Sequence, residues 1–249
     1  MHGRRRTTAV ALLLGLGLST LPAAAGPPVA EHRVGGHGIA ERSAVSAYFF
    51  GDSLMAGTGA SPRRPVMARV AAVQLGWDVE VDAWGGTGYT TAGGSPGYLD
   101  RLRRPGALSG SYDVVLLEGG TNDARHAGDP ARVRAAVHAV VEEVQRRQPG
   151  AAVVLMGAYD PPPPGRTDPR RAVVDAVLAD VARQRGLPFF SPLSGRWTQG
   201  RSGGFLHGDR LHPTARGYGV LGSRLAKELA ALVRSGRISH APQSASSRA

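Results

Sequence analysis

The chain has 249 residues, a formal charge of +11, no cysteine, and glycine and proline at 35 and 18 positions. That length builds one globular domain with a sizeable core and leaves little room for a second. The missing thiols exclude disulfides, thiolate nucleophiles and cysteine-ligated metals, and a hydrophobic share of 42% excludes wholesale disorder.

Residues 1–25 read as an export signal. Arg4, Arg5 and Arg6 precede an apolar run from Ala9 to Leu21, and Ala23-Ala24-Ala25 supplies small residues before a cut at Gly26. The run is shorter than the roughly 20 residues that span a bilayer. Signal cleavage therefore leaves no stable membrane span and sends the protein outside the cell or to a bacterial cell envelope. An uncleaved anchor is the alternative, and the paired arginines also suit the twin-arginine route. The basic residues that remain are dispersed, nearly all arginine, with Lys227 the one lysine. No run of five and no interleaved aromatics occur, which is the pattern of a solvated surface and not of a nucleic-acid site.

Residues 26–43 lack periodicity and read as a flexible leader. Ala44 to Phe50 is a buried strand. Pro65 to Leu75 is a helix with Val66, Val70 and Val73 at helical spacing, stopped by Gly76. Val79 and Val81 lie in a second strand, and Asp113 to Leu117 forms a third. Pro130 to Gln148 follows as an amphipathic helix with Val133, Val137, Val140, Val141 and Val144 on one face. Ala151 to Met156 is a fourth strand. Asp168 or Thr167 caps a helix from Pro169 to Arg185, Leu187 to Phe190 is a short fifth strand, and Thr214 to Val233 forms the last helix. The polar segment 236–249 reads as a disordered tail, leaving one domain over 44–235.

Apolar strands alternating with helices predict a parallel sheet covered on both faces. Ligands of such sheets gather at the carboxyl ends of the strands. Three polar, glycine-rich loops fall there: Asp52-Ser53 after the first strand, Gly85 to Thr91 after the second, Gly119 to Asp123 after the third.

Ser53 stands in a glycine-led turn where a hydroxyl is exposed near backbone N–H groups. It is either a nucleophile or a helix cap, and a nucleophile needs a base. His212 supplies one, in Asp209-Arg210-Leu211-His212-Pro213, with Asp209 spaced to accept its Nδ1–H. The competing reading makes His207, Asp209 and His212 ligands of a metal, but no carboxylate-rich segment completes a shell. Asn122 and the Gly88 N–H are candidate oxyanion donors; helix capping and simple turn formation are their alternatives. Trp84, Tyr89 and Tyr98 are candidates to line a substrate pocket, and His126 to contact substrate.

These blocks resemble the GDSL or SGNH hydrolase family: Gly51-Asp52-Ser53-Leu54, the glycine of the second block at Gly88, Gly120-Thr121-Asn122-Asp123, and Asp209-x-x-His212 before a proline. The resemblance implies a flavodoxin-like three-layer α/β/α sandwich with a mostly parallel five-stranded sheet. It further implies an oxyanion hole of the Ser53 N–H, Gly88 N–H and Asn122, and no cofactor. The second block departs from the pattern, with Ala83-Trp84-Gly85 where asparagine often begins it, so Gly85, Gly86 and Gly88 all compete for the donor role. The implied activity is an exported, monomeric serine esterase or lipase acting on a small-molecule, lipid or glycan ester, with no metal and no nucleic-acid partner. An acyltransferase using the same residues, and a non-catalytic basic envelope-binding protein, are the other readings.

Overall fold

A computed structural model describes residues 44–90, 95–126, 129–163 and 165–238. Five strands form one sheet: β1 (Ser46–Gly51), β2 (Asp78–Ala83), β3 (Val114–Glu118), β4 (Ala152–Met156) and β5 (Phe189–Phe190). All pair in parallel, in the order β2-β1-β3-β4-β5. Six helices cover it: α1 (Val66–Leu75), α2 (Tyr98–Leu102), α3 (Thr121–His126), α4 (Pro130–Arg147), α5 (Arg170–Gln184) and α6 (Ala215–Arg234). The chain is thus a three-layer α/β/α sandwich with the strand order of flavodoxin-like folds.

Alternation along β1 shows why two helical layers are needed. Ala47 and Phe49 pack with α1 and α6, whereas Tyr48 and Phe50 pack with α2, α4 and α5. All four side chains are buried, so β1 has no polar face to offer water. Helix ends follow local chemistry. Thr214 Oγ1 accepts the Gly217 N–H to start α6, and Asp129 Oδ1 accepts the Ala131 N–H to start α4 ahead of Pro130. Gly76 adopts a left-handed φ of 67° and closes α1.

Of the valines expected on the inner face of α1, Val66 is buried and Val70 packs against the core, whereas Val73 is 68% exposed; Met67, Ala68, Ala71 and Ala72 complete the buried face. Helix α6 approaches closely here: a Cβ on Gly222 would stand 2.7 Å from the Met67 carbonyl oxygen and from Val70 Cβ. Helices α2 and α3 are too short to carry a periodic pattern and were not expected. Of the expected tail, Ile238 is buried against the α1/α6 core; residues 239–249, like the signal and leader over 1–43, lie outside the described residues.

Candidate active site

Strand β1 ends at Gly51, and the chain turns at once. Asp52 Oδ1 accepts the Leu54 N–H at 2.8 Å, and the Ser53 carbonyl accepts the Thr58 N–H at 3.0 Å. Only glycine fits at 51, because a Cβ would run into the Glu118 carboxyl. From α6, the Tyr218 hydroxyl donates to the Thr58 carbonyl at 2.7 Å and pins the same turn.

A second turn brings the far end of the chain to Ser53. Asp209 Oδ1 accepts the N–H groups of Leu211 and His212, each at 2.9 Å. Arg210 between them takes a left-handed φ of 58°. His212 then lies with Nδ1 2.7 Å from Asp209 Oδ2 and Nε2 2.8 Å from the Ser53 hydroxyl. Partial burial pushes the Asp209 carboxyl up, but the His212 ring and the two N–H donors outweigh it and hold it at about 2. An ionised Asp209 leaves the Nδ1 proton in place, so Nε2 accepts from Ser53. His207 Nδ1 stands 3.6 Å from Asp209 Oδ2. It does not converge with His212, whose two nitrogens face Asp209 and Ser53.

The candidate donors follow β2 and β3. Gly85 lies against Ser53: a Cβ there would be 3.6 Å from Ser53 Cβ. Gly88 sits deeper, with its Cα packed on the Asp123 carboxylate, 2.6 Å from where a Cβ would stand. Neither Ser53 N–H nor Gly88 N–H donates to an acceptor among the described residues. Asn122 Nδ2 donates to Thr87 O at 2.8 Å and Asp52 Oδ2 at 3.0 Å. Both its hydrogens thus have protein acceptors, and an oxyanion must displace one of them to be held by Asn122. Asn122 lies in the first turn of α3 and not at its cap.

Two expected pocket residues are core residues instead. Tyr89 and Tyr98 are 2% and 0% exposed, with ring centroids 4.9 Å apart. The Tyr98 N–H donates to the Gly88 carbonyl and its hydroxyl to the Glu118 carbonyl, both at 2.8 Å. Both rings are thus packed inside the α2/α4/α5 layer and not at the surface. Trp84 is half-buried, with the Arg104 guanidinium 5.6 Å from its ring centroid. The expectation for His126 falls on a side chain outside the described part of the structure.

Charged groups beneath the site escaped sequence reasoning. Arg101, on α2, is 0% exposed and donates to Gly51 O, Thr87 Oγ1, and Asp82 O and Oδ1. Glu118 Oε2 accepts the Asp52 N–H at 3.1 Å. Burial pushes Asp52 up to about 7, the Leu54 N–H holding it down in part and the Asp123 charge adding to the rise. Burial also raises Glu118, with the Asp52 charge adding, and raises Asp123. A carboxyl raised in the fold binds its proton more tightly than in the unfolded chain. Its contribution to stability is complete below the unfolded value of 3.8 and is lost as pH rises through the folded value of about 7. Tm is therefore expected to rise as pH falls from about 8 to about 5, and Asp52→Asn to flatten that slope. Melting curves across the window check this; a slope unchanged in the variant contradicts it.

A model of the GDSL-like lipase/acylhydrolase family matches residues 49–220. No relative with a curated description matches the sequence. Among solved structures, a family two carbohydrate esterase from Clostridium thermocellum in complex with cellohexaose aligns with a TM-score of 0.62 at 21% identity, covering 81% of this chain and 67% of that one. The lipase/acylhydrolase from Enterococcus faecalis aligns at 0.59 and 23%, covering 81% and 100%. The salicylyl-acyltransferase SsfX3 from a tetracycline biosynthetic pathway aligns at 0.59 and 20%, covering 77% and 56%. These likenesses show the fold.

Proposed function

The chain belongs to the GDSL-like lipase/acylhydrolase family, and within it we propose a serine ester hydrolase with Ser53 as nucleophile. The observation that carries this reading is the continuous chain Ser53 Oγ, His212 Nε2, His212 Nδ1, Asp209 Oδ2 at 2.8 and 2.7 Å. As Ser53 Oγ attacks an ester carbonyl carbon, its proton passes to His212 Nε2, and the imidazolium is stabilised by ionised Asp209. The carbonyl oxygen becomes an oxyanion facing the Ser53 N–H and the Gly88 N–H. Asn122 joins them by exchanging one of its protein acceptors for the oxyanion. Collapse expels the alcohol, which takes the proton from His212. Water then attacks the acyl-enzyme with His212 as base and frees the acid. The amino-terminal pattern of residues 1–25 supports export of this activity.

Short acyl groups suit the site. Ser53 and His212 are partly exposed and Asp209 is 36% exposed, and among the described residues no long apolar segment stands by to cover an acyl tail. The carbohydrate esterase neighbour makes acetylated glycans the first substrates to assay. The likeness to an acyltransferase supports a second reading, in which an alcohol replaces water. A p-nitrophenyl ester series and acetylated sugars, each with and without added alcohol, test both. Turnover should be highest for acetyl and decline with chain length. Ester products dominating over free acid at modest alcohol concentration shift the assignment to transfer, and no turnover of any ester by folded protein overturns both readings.

A further inference from the structure

The two helical layers carry their charge differently. On the α2/α4/α5 side most arginines meet carboxylates, Arg132 and Arg147 excepted among the described residues: Arg134 and Arg183 pair with Asp180, Arg185 with Glu142, and Arg103 and Arg146 with Glu143. Across the α1/α6 side the reverse holds. Arg64, Arg69, Arg201, Arg216, Arg224 and Lys227 are all exposed, and none has a carboxylate within 4.0 Å among the described residues. Glu228 is the one acidic residue in α1 and α6 together.

These cations edge two grooves. One, of about 560 Å³, is lined by Arg201, Arg216, Arg224 and Lys227 with Ser223. The other, of about 410 Å³, has Arg64, Arg69 and Gln74 around a floor of Val66, Val70 and Val73. No acidic side chain lines either groove, and Gln74 Nε2 meets Ser223 Oγ at 2.9 Å on the ridge between them. From Arg216 to Lys227 the row runs roughly 16 Å along α6 at 1.5 Å per residue. Arg63, next in the chain to Arg64, brings its guanidinium within 3.8 Å of where a Cβ on Gly85 would stand, beside Ser53.

Uncompensated like charges in a row repel one another and hold a counterion atmosphere. A ligand with repeated negative groups relieves the repulsion and releases those ions, whereas one small anion reaches only a cation or two. Lipid fits less well. The exposed large apolar side chains among the described residues are Val73, Val173 and Val233, with no aromatic to insert into an interface. We propose that the α1/α6 face docks a linear polyanion, a glycan or polyol chain bearing repeated carboxylate or phosphate groups, laid along both grooves toward Ser53. The proposal stands apart from the chemistry at Ser53, since docking requires no turnover.

The test uses the full chain carrying Ser53→Ala, so that binding is read without hydrolysis. Labelled alginate and polyphosphate are titrated across salt concentrations, with neutral dextran and a single-stranded DNA oligonucleotide alongside. Alginate or polyphosphate should bind, more weakly as salt rises, and whichever binds tighter names the anionic group. Adding Arg69→Gln, Arg216→Gln, Arg224→Gln and Lys227→Gln should weaken binding at least tenfold and lower the log–log salt slope by about 3. Removing the same charge from the other layer, at Arg132, Arg134, Arg146 and Arg183, should leave affinity within about twofold, because those charges lie away from the row. Should the fourfold variant fail to fold, Arg224→Gln with Lys227→Gln carries the test at half the slope change. Equal losses in both layers would reduce the effect to net charge and overturn the proposal. So would binding of DNA alone, or no binding at low salt.

Discussion

Alanine at Ser53 is expected to lower kcat for a p-nitrophenyl ester by about 10⁵–10⁶, with KM little changed and Tm retained. The hydroxyl is the group that the His212 ring addresses at 2.8 Å, and alanine offers no lone pair to the carbonyl carbon. Tm should hold because the turn depends on backbone contacts: Asp52 Oδ1 to the Leu54 N–H, and the Tyr218 hydroxyl to the Thr58 carbonyl. His212→Ala should fall by a similar factor. The double variant should be scarcely worse than either single, since both changes remove the same proton-transfer step. Asp209 is held at about 2 by its contacts, so its ionisation should leave no limb in the activity profile between about pH 5 and 8. Steady-state kinetics on purified variants read all of this. Hydrolysis by Ser53→Ala at the wild-type rate would remove the nucleophile from Ser53.

Replacing Arg101 by Met should cost about 3–5 kcal/mol of unfolding free energy. Its guanidinium is fully buried, 4.1 Å from the Phe50 ring centroid and 5.4 Å from that of Tyr98. It ties together Gly51 at the close of β1, Asp82 near the close of β2, and Thr87 in the following loop. Met fills much of the same space but leaves the Thr87 hydroxyl without a donor, the Gly51 carbonyl with the Trp84 N–H alone, and Asp82 with Arg104 alone as ion-pair partner. Buried acceptors left unpaired carry the full desolvation penalty. The peptide of Thr87 carries the Gly88 N–H, so kcat should fall with stability while KM moves less. Urea unfolding and kinetics on Arg101→Met, with Arg101→Lys as the charge-preserving comparison, measure both effects. A loss under about 1 kcal/mol in Arg101→Met would show that the guanidinium is a bystander.

Much of the site was legible because its identity resides in residue types with few alternative uses. A glycine-led serine after an apolar strand, an asparagine after another, and an aspartate three residues before a histidine read as one constellation without any coordinates. Other features resisted because neighbours decide them. Tyr89 and Tyr98 lie in and after a polar loop and look available to a substrate, yet both rings are buried in the core. Val73 has the spacing of a core residue, yet it is 68% exposed, because α6 meets α1 at Met67 and Val70. Arg101 sits in a helix of five residues, too short for any periodicity to show which way it faces.

By itself the sequence determined the class of fold, one parallel sheet between two helical layers, because strand-length apolar runs alternating with helices admit few other burials. It also singled out Ser53, His212, Asp209 and Asn122 as the candidate site. Only the tertiary structure decided which glycine lies beside Ser53 and that both hydrogens of Asn122 have protein acceptors. It alone also gathered three buried carboxyls and a buried guanidinium under the strand ends, and left the exposed arginines of one layer without partners. The physical reason is common to all of these. Composition and spacing record what a residue can do, whereas burial, pairing and direction depend on what the rest of the chain brings within a few ångströms.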